Sequence, residues 1–162
     1  MCLKRMLAHL MFCVIGTSCI AQEKFGLGII VGEPTGVSVK YWLTDNRALD
    51  GAAAWSLSND DEFQLHVDHL WHNYNFFTLH ADGMPSIYYG VGGRVRFEDN
   101  DNGRGKEKDD ETRVGIRIPV GLSYLAGGAP IDIFVEIVPI LEIAPDTDLN
   151  LDAAIGLRYY FL

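Results

Sequence analysis

From Ile87 to Phe97 the chain alternates: Ile87, Tyr89, Val91, Gly93, Val95 and Phe97 hold odd positions, and Tyr88, Gly90, Gly92, Arg94 and Arg96 hold even ones. Side chains of a strand point alternately to its two faces, so this stretch has one apolar face and one small-or-charged face. Arg113–Tyr124 repeats the pattern, with Val114, Ile116, Ile118, Val120, Leu122 and Tyr124 against Arg113, Gly115, Arg117, Pro119, Gly121 and Ser123. Ile131–Ile143 and Leu149–Phe161 are two further long strands of the same kind. The first half of the chain gives four more, Phe25–Val31, Val37–Leu43, Ala48–Leu57 and Glu62–Trp71. Turn-rich links such as Glu33-Pro34-Thr35-Gly36, Asp45-Asn46-Arg47 and Ala126-Gly127-Gly128-Ala129-Pro130 join them, and Glu98–Thr112 is one long hydrophilic connection. No helix is required after the first residues and no internal repeat appears. An even strand count with hairpin links predicts an all-β fold, an eight-stranded antiparallel up-and-down barrel.

Which face points inward separates a soluble barrel from a transmembrane one. Along the last four strands the apolar face carries no charge, while the opposite face carries Arg94, Arg96, Arg113, Arg117, Arg158, Asp132, Glu136, Glu142 and Asp152. Eight strands enclose only enough room for side chains to fill, so bulky residues of every strand would crowd the interior. The reverse arrangement fits, with the charges neutralising one another in a narrow lumen. Gly26, Gly28, Gly90, Gly92, Gly115, Gly121 and Gly156 fall on the charged face and are expected to leave space for the arginines. Tilted strands of about 9 to 11 residues cross a bilayer core. Aromatic residues near strand ends, Tyr41, Trp42, Trp55, Trp71, Tyr88, Tyr124, Tyr159, Tyr160 and Phe161, would then form two interfacial girdles. Pro119 and Pro139 each remove a ladder donor and predict local bulges.

The first residues differ from the rest. Lys4 and Arg5 precede an apolar run, Leu7–Ile15, broken only by His9, and Cys19-Ile20-Ala21 ends in a small residue. This is the composition of a secretory leader cut after Ala21, leaving residues 22–162 as the barrel domain. Acylation of Cys19 is the alternative, with Gly16 where a bulky aliphatic is usual. All three cysteines lie in the leader, so the exported chain has no disulfide and needs another device to hold it, such as a closed sheet. Thirteen Lys and Arg against 22 Asp and Glu give a net charge of −9. Loss of Lys4 and Arg5 makes the remainder more acidic still, which argues against a nucleic-acid partner.

Three groups of residues invite a chemical reading. In a strand, His66, Asp68 and His72 share one face and His69 points to the other, so at most three could converge on a metal or act as base and orienter. No serine sits two residues from any of these histidines, which leaves a hydrolase without an obvious nucleophile. Glu98, Asn100, Asn102, Gly103 and Asp109 fall loosely at calcium-loop offsets, but the first and last positions carry the wrong acids, and a solvated loop is the stronger reading. Gly26-x-Gly28 and Gly90-x-Gly92 lack a following helix, so no dinucleotide fingerprint is present. The expectation is therefore no metal, no cofactor and no catalytic residue.

The leader, the eight amphipathic strands and the ending Arg158-Tyr159-Tyr160-Phe161 resemble the small outer-membrane β-barrels of Gram-negative bacteria, the OmpA-barrel and OmpX type. Gly36-Val37-Ser38-Val39-Lys40-Tyr41-Trp42 and Tyr88-Tyr89-Gly90-Val91-Gly92-Gly93-Arg94-Val95 are similar to segments of this group. The resemblance implies insertion into the outer membrane among lipid and lipopolysaccharide, as a monomer, after the barrel assembly machinery reads the C-terminal strand. Here Leu162 follows the aromatic Phe161 that the machinery would read. The leading expectation is a non-catalytic barrel with a structural or surface-interaction role and a closed polar lumen. A membrane-embedded lipid A-modifying enzyme working from His66–His72 and a soluble periplasmic lipocalin-like carrier are the alternatives. With a periplasmic N-terminus, the links at Glu33–Gly36, Ser58–Asp61, Glu98–Thr112 and Ala144–Asp148 would face the outside of the cell.

Overall fold

The structure, a computed structural model, describes residues 24–33, 35–55, 62–76, 83–99 and 110–161. The leader, with Cys19, and the loop residues Asn100, Asn102, Gly103 and Asp109 lie outside the described residues. Strands run β1 (Phe25–Glu33), β2 (Thr35–Thr44), β3 (Arg47–Trp55), β4 (Glu62–Asn73), β5 (Gly83–Asp99), β6 (Asp110–Arg117), β7 (Val120–Ala126), β8 (Ile131–Ala144) and β9 (Asp148–Phe161). Each pairs antiparallel with its neighbour, β5 and β8 both pair with β6 and β7, and β1 pairs with β9 from Phe25↔Phe161 to Glu33↔Ala153. The sheet therefore closes into a ring of eight staves, with β6 and β7 forming one stave.

Pro119 accounts for the division of that stave, but the register is unchanged across it: Arg117 faces Ile140 and Val120 faces Ile137. Pro139 corrects the expected bulge, because β8 runs straight through it, opposite Leu151. The ladder tolerates the two prolines because each still accepts: Gly90 N–H donates to Pro119 O at 2.9 Å and Ile118 N–H to Pro139 O at 3.0 Å. The register shifts that do occur lie between Trp42 and Thr44 and between Val114 and Gly115. β4 and β5 are longer than the alternation predicts, so the connection between them is residues 74–82.

Burial follows the alternation strand by strand. β8 reads buried at Asp132, Phe134, Glu136, Val138, Ile140 and Glu142, with Ile133, Val135, Ile137, Leu141 and Ile143 exposed between them. Tyr41, Trp55, Tyr124, Tyr159 and Phe161 face outward as the girdle reading requires. Trp42, Tyr88 and Tyr160 do not: they stand on the inward face, and Tyr88 is 0% exposed. The glycines explain why. Tyr160 lies against Gly26, Tyr88 against Gly121 and Phe134 against Gly156, each directly opposite in the ladder, where a Cβ would overlap the ring. The expectation that glycines make room for arginines is thus corrected at these positions, where they seat aromatic rings.

Candidate functional site

The inward face is the candidate site, because it buries ionisable groups that would be costly unless paired. Two ends of the barrel are distinguished by their connections. The loop end carries the links after β1, β3, β5 and β8, and the terminal end carries Lys24, Phe161 and the links after β2, β4 and β7.

Toward the loop end, Glu142 of β8 accepts from three guanidinium groups. Arg94 Nη2 donates to Oε1 at 2.5 Å, Arg96 Nη2 to the same oxygen at 2.9 Å, and Arg113 Nη1 to Oε2 at 3.2 Å. Arg94 Nη1 also donates to Asp152 at 3.0 Å. Period two brings these groups together, since Arg94 and Arg96 on β5 sit directly across from Gly115 and Arg113 on β6, which borders β8. At mid-height Arg117 Nε bridges both oxygens of Asp68, at 3.2 and 3.1 Å. Its Nη atoms lie 3.7 Å from Glu136 and 3.9 Å from Asp152, and Tyr88 Oη donates to Glu136 at 2.9 Å.

Toward the terminal end Arg158 of β9 is the hub. Its Nε donates to Ser38 Oγ at 2.9 Å, Nη2 to Asp50 at 2.5 Å and Nη1 to Asp132 at 3.4 Å, while its Cζ lies 3.7 Å from the Phe134 ring centroid. Lys40 Nζ stands 3.8 Å from Asp132 and 4.7 Å from the centroid of Trp42. Ser123 donates to the other oxygen of Asp132. Among the described residues, Lys40 and the five arginines thus face Asp50, Asp68, Asp132, Glu136, Glu142 and Asp152, charge for charge.

Every residue expected to line the lumen from the sequence stands on the inward face, and all of them join this network. Lys40, Asp50 and Ser38 were not singled out. Alternation along Val37–Leu43 and Ala48–Leu57 already puts them on the inward side, so the signal was present but short. The histidine segment divides as expected, with His66, Asp68 and His72 inward and buried, and His69 on the outer face against Trp71. Asp68 is engaged by Arg117 rather than by a histidine. His72 Nδ1 instead meets Ser86 Oγ at 2.9 Å, a serine supplied by β5 and therefore missed by a search along one strand. Among the described residues no group of three or more His, Cys, Asp or Glu side chains is placed to hold a metal.

Over residues 17–161 the chain matches the family described as "Protein of unknown function (DUF3996)". No curated protein matches it in sequence. Among solved structures it is similar to the N-terminal β-barrel domain of Pseudomonas aeruginosa OprF, at 16% identity and a TM-score of 0.65, covering 85% of this chain and 96% of that one. It is also similar to Neisserial surface protein A, at 12% identity and a TM-score of 0.49, covering 85% and 94%. The fold is that of the eight-stranded outer-membrane barrels.

Proposed function

The chain belongs to the DUF3996 family, and we propose that it is a non-catalytic barrel of the bacterial outer membrane, delivered by a cleaved leader and closed along its lumen by the ion-pair network. The observation that carries this reading is the inversion of the usual burial order. Arg117 and Arg158 are 0% and 1% exposed, while Ile29, Val67, Ile137 and Ile155 are each more than half exposed. Water would penalise so continuous an apolar surface. A bilayer accepts it, and a closed ring leaves few backbone groups unpaired against lipid. The same inversion speaks against a soluble carrier.

Lipid and lipopolysaccharide are its immediate surroundings, the barrel assembly machinery its inserting partner, and a monomer its working form. Its role is structural or one of surface interaction. The protein should fractionate with the outer membrane and migrate differently on gels before and after heating; recovery from the soluble periplasm would overturn the reading. Ile118→Arg, on the outer face between β6 and β7, should cost about 2 to 4 kcal/mol of barrel stability if that face meets hydrocarbon. In planar bilayers a large, steady conductance would remove the closed lumen.

The His72–Ser86 contact is the observation that favours the lipid-modifying alternative, since a base within hydrogen-bond reach of a hydroxyl is the beginning of a nucleophile. His72 Nε2 has no hydrogen-bond partner to orient the ring, so the pair lacks the third member such sites use. Mass analysis of lipid A from cells carrying Ser86→Ala tests it: an unchanged profile is expected, and loss of a modification would establish the enzyme.

A further inference from the structure

β9 extends past its neighbour on one side. It pairs with β8 from Ile131↔Tyr159 up to Glu142↔Asp148, but with β1 only as far as Glu33↔Ala153. Among the described residues, the segment Asp148–Asp152 therefore has a strand on one side and none on the other. In an antiparallel ladder alternate residues turn their N–H and C=O toward opposite neighbours. Tyr160 N–H donates toward β8, to Pro130 O at 2.8 Å, so even-numbered residues of β9 serve β8 and odd-numbered ones serve the β1 side. Leu149 and Leu151 thus present their backbone groups at the open edge. Asp148 Oδ1 already takes the Leu149 N–H, at 2.8 Å, so among the described residues the Leu151 N–H and the carbonyls of Leu149 and Leu151 face no strand.

The side chains beside this edge are also unlike those below it. Leu149 and Leu151 are 73% and 69% exposed, against 44% for Leu157 farther down the same strand. β1 ends at the same level in the exposed Glu33, and Asp146 and Asp148 stand exposed above the leucines. An apolar pair with open backbone groups, bounded by acids at both ends, has the chemistry of a β-augmentation site.

We propose that the β1-facing edge of β9 between Asp148 and Asp152 is a docking edge for an extended segment of a partner protein, apolar at alternate positions and basic at its ends. The partner strand continues the line of β1, antiparallel to β9. A second copy of this chain is the poorer fit, because its own acids would meet Glu33, Asp146 and Asp148.

The test uses the whole barrel refolded in detergent and a short synthetic peptide alternating valine with threonine and ending in lysine at both ends. Binding followed by fluorescence anisotropy is expected, and it should weaken at least tenfold when the peptide ends in glutamate instead. Leu151→Pro removes only the N–H that faces the open edge, so the barrel should keep its heat-dependent migration while peptide binding falls at least tenfold. Should that variant fail to fold, Leu149→Ser with Leu151→Ser keeps the backbone and should weaken binding by removing the apolar flank. No binding of the lysine-ended peptide, binding indifferent to these substitutions, or a concentration-dependent dimer that the peptide does not displace would each overturn the proposal.

Discussion

The two ends of the lumen solve one problem, the burial of arginine, in different ways. Toward the loop end three guanidinium groups share Glu142, and two of them reach water: the side chains of Arg96 and Arg113 are 18% and 28% exposed, while Arg94 and Glu142 are buried. Toward the terminal end the Arg158 side chain is 2% exposed and has the partners Asp50, Asp132 and Ser38, with a Phe134 face beneath it. A shared carboxylate suffices where solvent completes the hydration of a cation. Where solvent is excluded, every guanidinium nitrogen of Arg158 has an acceptor and the flat ion has an aromatic surface. The seat of that surface is Gly156, whose missing Cβ lets Phe134 lie against β9.

Removing the hub should give the largest effect. Arg158→Leu strands Asp50 in a buried space and leaves Asp132 only Lys40 and Ser123, and a loss of about 3 to 5 kcal/mol is expected, read as the urea midpoint of the refolded barrel in detergent. Glu142→Gln keeps the shape and removes the shared charge at the loop end, where water can compensate in part. About 1 to 3 kcal/mol is expected there, and a loss equal to that of Arg158→Leu would erase the contrast between the ends. Gly156→Ala pushes a methyl group into the Phe134 ring and should cost about 1 to 3 kcal/mol through overpacking. If the ring works as a support for Arg158, Gly156→Ala combined with Arg158→Leu should cost less than the two separately, whereas simple additivity would mean the ring and the ion are independent. The smallest effect belongs to Arg113→Ala, at most about 1 kcal/mol as for other accessible ion pairs, and its loss should shrink further in high salt.

The same contrast marks what could be read from the sequence. The strands and their inward faces were legible because alternation is a local property, repeated over ten or more residues in β5, β8 and β9. The loop-end network was legible with them, as its arginines lie on consecutive inward positions of β5 and β6. The terminal-end network was legible in part: Arg158 and Asp132 stand among the expected inward charges, Ser38, Lys40 and Asp50 do not. Ser38 and Arg158 are 120 residues apart, and Asp50 and Arg158 are 108 apart. Nothing in either strand announces its partner until the ring closes. Alternation places Tyr88 and Tyr160 on the charged, inward face; counting them with the girdle follows their nearness to strand ends instead, and the glycines that seat them lie in facing strands. The His72–Ser86 contact is likewise absent from the pattern of either strand, because it crosses the ladder between β4 and β5.

Closure by β1 and β9 carries a consequence for the order of assembly. The first strand of the sheet hydrogen-bonds to its ninth, so β1 lacks its second partner until every strand between them has been placed. Contacts of such sequence separation make folding slow, and in the interval both terminal strands are open edges able to pair with other chains. Arg158 lies on the last strand and Asp50 on the third, so their ion pair cannot form before the circle does. The charge network is thus a product of completion: a barrel arrested one strand short would leave Asp50 and Arg94 inside without their partners on β9, Arg158 and Asp152.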